Sequence, residues 1–208
     1  LAQAFIIGES FIEDKNVCLI LGDNVFYGGN LRTKLQKTVS DVESNNNAVV
    51  FGYFVNDPER YGVVEFDDNQ NAISLEEKPL KPKSNYAITG LYFYDNEVID
   101  IASELQPSDR GELEITDINS VYLNKNSLEA IILGRGFAWL DTGTPDSLLE
   151  AGMFVQMVEK RQGLKIACLE EISYMKGWIS SSQLEKQAQK YSQSKYGKYL
   201  FKILEKKI

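Results

Sequence analysis

Asp23 and Asp141 are the residues whose setting first suggests chemistry. Asp23 lies in Leu19-Ile20-Leu21-Gly22-Asp23-Asn24, and Asp141 in Trp139-Leu140-Asp141-Thr142-Gly143-Thr144. Val17 to Leu21 is a short apolar run, the pattern of a strand buried on both faces, and Gly-Asp-Asn ends it. Ligands of open α/β sheets collect beyond the carboxyl ends of the strands, so an Asp placed there has reason to face a cleft. Alone, Gly-Asp-Asn reads more simply as a turn capped by its own side chains. A second Asp in the same setting strengthens the case for a ligand. The chain has no histidine. That excludes Ser-His-Asp and Cys-His nucleophilic catalysis within it, and His-based zinc sites. Two cysteines cannot build a Cys-rich site. A bound metal therefore takes oxygen ligands, which points to magnesium or a similar hard cation.

Composition narrows the class further. The 208 residues, 43% hydrophobic and 25% charged, allow one sizeable soluble domain with a helical appendage. The formal net charge of -8 comes with no basic stripe, so no nucleic-acid partner is expected. No apolar run approaches the roughly 18 residues of a membrane span. The start, Leu1-Ala2-Gln3-Ala4-Phe5, lacks a signal peptide's basic region and cleavage site. It also lacks Met, so the expectation is a chain whose true beginning is absent. Cys18 and Cys168 suggest no disulfide framework and a cytoplasmic setting, with Cys18 a small core residue.

The elements that must position the two aspartates follow from pattern. Ala2 to Phe11 reads as a helix. Val25-Phe26-Tyr27-Gly28-Gly29-Asn30 reads as a Gly-rich loop without P-loop spacing, leading through an Asn30 N-cap into a helix with Leu31, Leu35, Thr38, Val39 and Val42 on one face. Residues 48–54 form a strand. Tyr61–Phe66 and Ala72–Glu77 form a hairpin around Asp67-Asp68-Asn69-Gln70-Asn71, ended by Pro79. Glu77 and Lys78 are neighbours, so an extended chain points them to opposite faces; at a strand end both could border a cleft, or they are a solvated charged turn. Residues 85–94 form a strand in which Gly90 marks a bulge or a close backbone approach. Residues 96–105 are helical. Arg110 to Asp117 reads as the acidic first turn of another helix, and 128–133 as a strand. Thr144-Pro145-Asp146 opens a helix whose buried face is Leu148, Ala151, Val155 and Val158. The rest is mainly helical, ending in the stripe Tyr196, Tyr199, Leu200, Ile203 and Leu204, with Lys198, Lys202 and Lys206 off it. Domains are expected at 1–152 and 153–208.

Several stretches together resemble one family. Leu-Gly-Asp-Asn at 21–24, Arg60-Tyr61-Gly62-Val63-Val64-Glu65-Phe66, Glu76-Glu77-Lys78-Pro79, Thr89-Gly90-Leu91-Tyr92, Gly111 to Asn119, Trp139 to Thr144 and Lys160-Arg161-Gln162-Gly163 look like the glucose-1-phosphate thymidylyltransferases, in the right order along nearly the whole chain. The departure is at the front. The family's N-terminal Gly-rich loop, the Arg and Lys that follow it, and its base-contacting Gln and Gly are not in these residues.

The resemblance implies an α/β, Rossmann-like (GT-A-like) nucleotidyltransferase with a mixed sheet flanked by helices and a helical C-terminal region, its N-terminal strands absent. It implies joining dTTP and glucose 1-phosphate to give dTDP-glucose and pyrophosphate, in a full-length enzyme, with the catalytic Arg and Lys upstream of Leu1 and the fragment alone inactive. Asp23 and Asp141 would hold Mg²⁺. Lys78 would bind the sugar 1-phosphate and Glu77 the sugar hydroxyls. Leu1, Asn24, Tyr61, Gly62 and Ile88 would line the substrates. It further suggests a cytoplasmic homotetramer with a regulatory nucleotide site touching Tyr27-Gly28 and Glu170-Glu171-Ile172. Two alternatives stand beside it: another sugar-1-phosphate nucleotidyltransferase or nucleotide-sugar glycosyltransferase, and a non-catalytic sugar-phosphate-binding or regulatory chain.

Overall fold

The structure is a computed structural model that describes residues 1–205; Lys206 lies outside them. Two short helices, α1 (Gln3–Ile7) and α2 (Glu9–Ile12), precede strands β1 (Val17–Ile20) and β2 (Asn24–Gly28). Helix α3 (Leu31–Asn45) leads to β3 (Ala48–Phe54), then β4 (Gly62–Phe66), β5 (Ala72–Glu77) and β6 (Tyr86–Tyr94). Helices α4 (Val98–Glu104) and α5 (Ile115–Asn124) come next, then β7 (Leu128–Leu133) and β8 (Phe137–Asp141). The chain ends in α6 (Pro145–Gln162), α7 (Leu169–Met175), α8 (Ser181–Lys190) and α9 (Lys195–Leu204). By contacts it divides into two compact units, Leu1–Ser147 and a second beginning at Leu148. Among the described residues no helix is long and apolar enough to cross a membrane.

The first unit is built on β6. The main sheet runs β5-β4-β6-β3-β7, and β1 also pairs with β6. Only the β3–β7 pair is parallel, so the sheet is mixed. One edge of β6 faces β3. The other is shared: Tyr86 and Ala87 pair with β4, and Leu91 to Tyr94 with β1. Between them, Ile88 to Gly90 have no strand partner on that edge.

Alternation along β6 feeds two cores. Leu91 and Phe93 pack with Val42 of α3 and with Val49, Phe51 and Leu133. Ile88, Tyr92 and Tyr94 pack with Phe5, Val98, Ile101, Ile118 and Tyr122 of the helices opposite. Tyr94 is fully buried, sits edge-on to Phe5 at 5.4 Å between centroids, and donates its hydroxyl to Asn119 Oδ1 at 2.6 Å. A buried aromatic of this size contributes about 2–3 kcal/mol.

Several local expectations are corrected. The helix expected over Ala2–Phe11 is interrupted at Gly8, whose φ of -86° and ψ of 0° leave the helix. β1 is not buried on both faces: Val17 and Leu19 pack on the core, while Ile20 is 60% exposed and Cys18 is exposed. Its alternation is that of a one-faced strand. Residues 24–28 are a strand and not a Gly-rich loop, paired antiparallel with β8 from Asn24 opposite Asp141 to Gly28 opposite Phe137. Gly28 is required there, because a Cβ would stand 2.4 Å from the Phe137 ring. Asn30 takes a left-handed conformation and makes no side-chain cap. Residues 110–114 are loop, so only Asp117 of the acidic segment lies in the first turn of α5. Val39 and Leu148 are exposed. Gly90 does mark both a register shift, with Phe51 alone between the pairs Val50–Tyr92 and Gly52–Ile88, and a close approach.

In the second unit, Leu184, Ala188, Tyr199, Leu200 and Ile203 pack together with Cys168, as the apolar stripe predicts. Helix α8 starts with a capping box between Ser180 and Gln183, and α9 with Ser194 accepting from the Gly197 amide at 3.1 Å. Glu170 and Glu171 accept hydrogen bonds from the Tyr196 and Tyr199 hydroxyls.

Candidate active site

The unpartnered stretch of β6 is the floor of a cavity of about 270 Å³. Ile88 and Gly90 contribute the floor, and the strand ends of β1, β4, β5 and β8 surround it.

One wall carries the two aspartates. Asp23 precedes β2 and Asp141 ends β8, and the ladder places Asn24 directly opposite Asp141. The amide and hydroxyl of Thr142 both donate to the Asp23 carbonyl at 2.8 Å, closing the ladder around the pair. Gly143 donates its amide to Asp141 Oδ1 at 3.1 Å. A Cβ at Gly143 would sit 3.2 Å from Asp141 Oδ1 and 3.5 Å from Asp23 Oδ2. The two carboxylates thus both reach the space beside Gly143, where a Cβ would crowd Asp141 Oδ1 and touch Asp23 Oδ2. Among the described residues, no cluster of three or more His, Cys, Asp or Glu could hold a metal. A two-carboxylate donor set suits a hard cation that keeps waters or substrate oxygens as its other ligands, as Mg²⁺ does.

The opposite wall is the β4–β5 hairpin. Gly62 pairs with Glu77, and Lys78 donates its amide to the Tyr61 carbonyl at 2.9 Å. Lys78 has φ of +42°, a conformation a non-glycine residue adopts at a cost. That kink breaks the strand's alternation, and Glu77 and Lys78 both line the cavity. Glu77 Oε2 accepts the Thr116 hydroxyl at 2.5 Å. Leu1, Tyr61 and Gly62 complete this side, and the Leu1 nitrogen donates to the Leu113 carbonyl at 3.1 Å. Every residue expected at the site, Leu1, Asp23, Asn24, Tyr61, Gly62, Glu77, Lys78, Ile88 and Asp141, is a lining residue of this one cavity.

The comparisons with known proteins bear on what such a cavity serves. The nucleotidyl transferase family description matches residues 1–157. A glucose-1-phosphate thymidylyltransferase of Neisseria meningitidis serogroup A is 55% identical over 206 residues, 99% of this chain and 70% of that protein. One of Mycobacterium tuberculosis is 52% identical over the same shares. The chain belongs to the glucose-1-phosphate thymidylyltransferase family. A solved structure described as a member of this family, from Bacillus anthracis in complex with a sucrose, superposes with a TM-score of 0.65 at 40% identity, covering 74% of this chain and 60% of that one. A UDP-glucose pyrophosphorylase complexed with UDP-glucose, 23% identical with a TM-score of 0.65, shares the fold.

The cavity also holds residues to which the sequence reading assigned no role at the site. Arg110 donates from Nη2 to both oxygens of Glu114, at 2.8 and 2.9 Å, and from Nε at 3.1 Å. Its guanidinium also stands 3.5 Å from Glu77 and 3.6 Å from Glu112. Burial opposes ionisation of Glu114, but the hydrogen bonds from Arg110 and Ser108 outweigh it and hold the carboxyl below its ordinary value. The Arg110–Glu114 pair forms within a loop, where i,i+4 spacing carries no helical signal, and nothing in the sequence marked Thr116 as Glu77's partner. Trp139 lies two residues before Asp141, on the same face of β8. Its ring packs edge-on against Tyr61, 5.1 Å between centroids. Burial raises the Tyr61 hydroxyl pKa, with the Arg60 charge partly opposing it. Lys78 has no ion pair among the described residues, whereas Arg60 is held by Asp57 at 2.8 Å.

Proposed function

We propose that this cavity is the sugar-phosphate and metal portion of a glucose-1-phosphate thymidylyltransferase site, in an enzyme that joins dTTP and glucose 1-phosphate to give dTDP-glucose and pyrophosphate. The observation that carries the reading is the convergence of Asp23 and Asp141 on the Gly143 space, in one cavity with Lys78 and Glu77. The reaction asks for no side-chain nucleophile, because a sugar phosphate oxygen attacks the α-phosphorus in line. The protein's part is positioning and charge neutralisation, which suits a chain without histidine.

Lys78, which makes no ion pair among the described residues, holds the sugar 1-phosphate as a point charge. Glu77, oriented by Thr116, accepts hydrogen bonds from sugar hydroxyls. Ile88 and Gly62 offer backbone groups and contact surface, Tyr61 an aromatic wall, and Leu1 the nucleotide side. Asp23 and Asp141 would hold Mg²⁺, which when bound offsets negative charge on the reacting phosphates. The lining supports that need: Arg60, Lys78 and Arg110 face Asp23, Asp141, Glu77, Glu112 and Glu114, a balance that repels a polyphosphate until a cation is added. The chain spans 70% of the length of the relatives named above, and the activity is proposed for the full-length enzyme. A cytoplasmic location and homotetrameric assembly belong to the same proposal. The test is Asp141→Asn in the full-length enzyme. Mg²⁺-dependent pyrophosphate release from dTTP and glucose 1-phosphate should be abolished with the fold retained; wild-type turnover would refute the metal assignment.

A further inference from the structure

Asn24 occupies the junction of the cavity's two halves. Its Oδ1 accepts the Gly90 amide at 2.9 Å and the Trp139 indole N–H at 2.6 Å. Its Nδ2 donates to Asp23 Oδ1 at 2.8 Å. The two partners of Oδ1 can only donate, since a backbone amide and an indole nitrogen carry no acceptor. They therefore settle which way the carboxamide faces: oxygen toward β6 and Trp139, nitrogen toward Asp23. The approach at Gly90 is close enough that a Cβ there would stand 2.6 Å from Asn24 Oδ1.

We propose that Asn24 is a positioning residue for the metal carboxylates, with Trp139 acting through it. The inference rests on the proposed metal role of Asp23 and Asp141. With Oδ1 of Asp23 engaged by Asn24, its Oδ2 is the oxygen left on the side shared with Asp141 Oδ1, beside the Gly143 space. Asn24 is also the residue directly opposite Asp141 in the ladder, so one side chain ties the rotamer of Asp23 to the strand that carries Asp141. Trp139 is fixed in turn by edge-on packing against Tyr53 at 5.9 Å and Tyr61 at 5.1 Å between centroids. Hydrogen-bonding partners behind a ligating carboxylate orient it and tune its affinity for the ion. In this arrangement an aromatic wall of the substrate cavity and the floor strand both reach the metal site through one carboxamide.

The test is Mn²⁺ affinity, read by electron paramagnetic resonance on the protein without substrates. The variants are Asn24→Ala, Trp139→Phe, their combination and Asp141→Asn, each checked for wild-type circular dichroism. Trp139→Phe keeps an aromatic ring beside Tyr53 and Tyr61 while removing the indole donor and the pyrrole ring that carries it, so it serves where Asn24→Ala disturbs β2. The expected result is a loss of affinity of about tenfold or more for Asn24→Ala and a smaller loss for Trp139→Phe. The combination should be no weaker than Asn24→Ala alone, because the indole acts through the carboxamide. Asp141→Asn should abolish binding. If Asp141→Asn abolishes binding while Asn24→Ala and Trp139→Phe stay within twofold of wild type, the positioning role is wrong and the metal site stands. Losses that multiply in the combined variant would overturn the route through Asn24. If Asp141→Asn binds Mn²⁺ as wild type does, the metal site falls and this inference with it.

Discussion

Replacing Glu114 by Gln tests the electrostatics of the cavity rim. Glu114 is 6% exposed and receives Arg110 through both Nε and Nη2, with Ser108 Oγ at 2.8 Å. Gln keeps the shape and one acceptor oxygen but loses the charge. Hydrogen bonds to a charged group contribute about 1.5–3 kcal/mol when well buried. Two features lower the figure here. Arg110 is 40% exposed, and Glu77 and Glu112 stand 3.5 and 3.6 Å away to take up its charge. The expected cost is about 1–2 kcal/mol, or roughly 3–6 °C in melting temperature for a unit of this size. The pH dependence has a definite sign. The folded-state carboxyl is held below its ordinary 4.5, so its contribution is complete above that value. It is lost as pH falls through the lower folded-state pKa. Melting curves of wild type and Glu114→Gln should therefore run a constant distance apart from pH 7 to 5 and converge below pH 4.5. Equal melting temperatures at pH 7, or a gap that widens on acidification, would refute the reasoning.

Other perturbations address the sugar-phosphate half. Lys78→Ala should weaken glucose 1-phosphate far more than dTTP in the full-length enzyme, measured as separate KM values; equal losses would make Lys78 structural. Gly62→Ala should raise the KM for glucose 1-phosphate, because its Cβ would stand 2.8 Å from Thr116 Oγ1 and 3.3 Å from Glu77 Oε2, displacing the Glu77 carboxylate.

Much of the site was legible in the chain itself. Apolar runs broken by Gly-Asp-Asn and Leu-Asp-Thr-Gly placed two carboxylates at strand ends, and the missing histidines restricted the chemistry to oxygen ligands. Order along the chain identified the family, because motifs such as Glu76-Glu77-Lys78-Pro79 keep their spacing. Alternation and capping are local properties, so the β4–β5 hairpin, the central strand β6 and the start of α6 were readable from neighbours alone. The strand β2 was not. Its residues end in Gly28 and show no clear alternation, and it exists because β8, more than 100 residues later, supplies its hydrogen bonds. Burial of β1 could not be read either, since an apolar strand does not state how many of its faces are covered. The positive φ of Lys78, which turns two adjacent side chains into one cavity, accompanies a long-range bond from its amide to the Tyr61 carbonyl. The partners of Asn24, which lie 66 and 115 positions away, are likewise decided only in three dimensions. Sequence determined which chemical groups the site would contain; long-range pairing determined which of them meet, because hydrogen-bond geometry between distant strands leaves no periodic trace in either one.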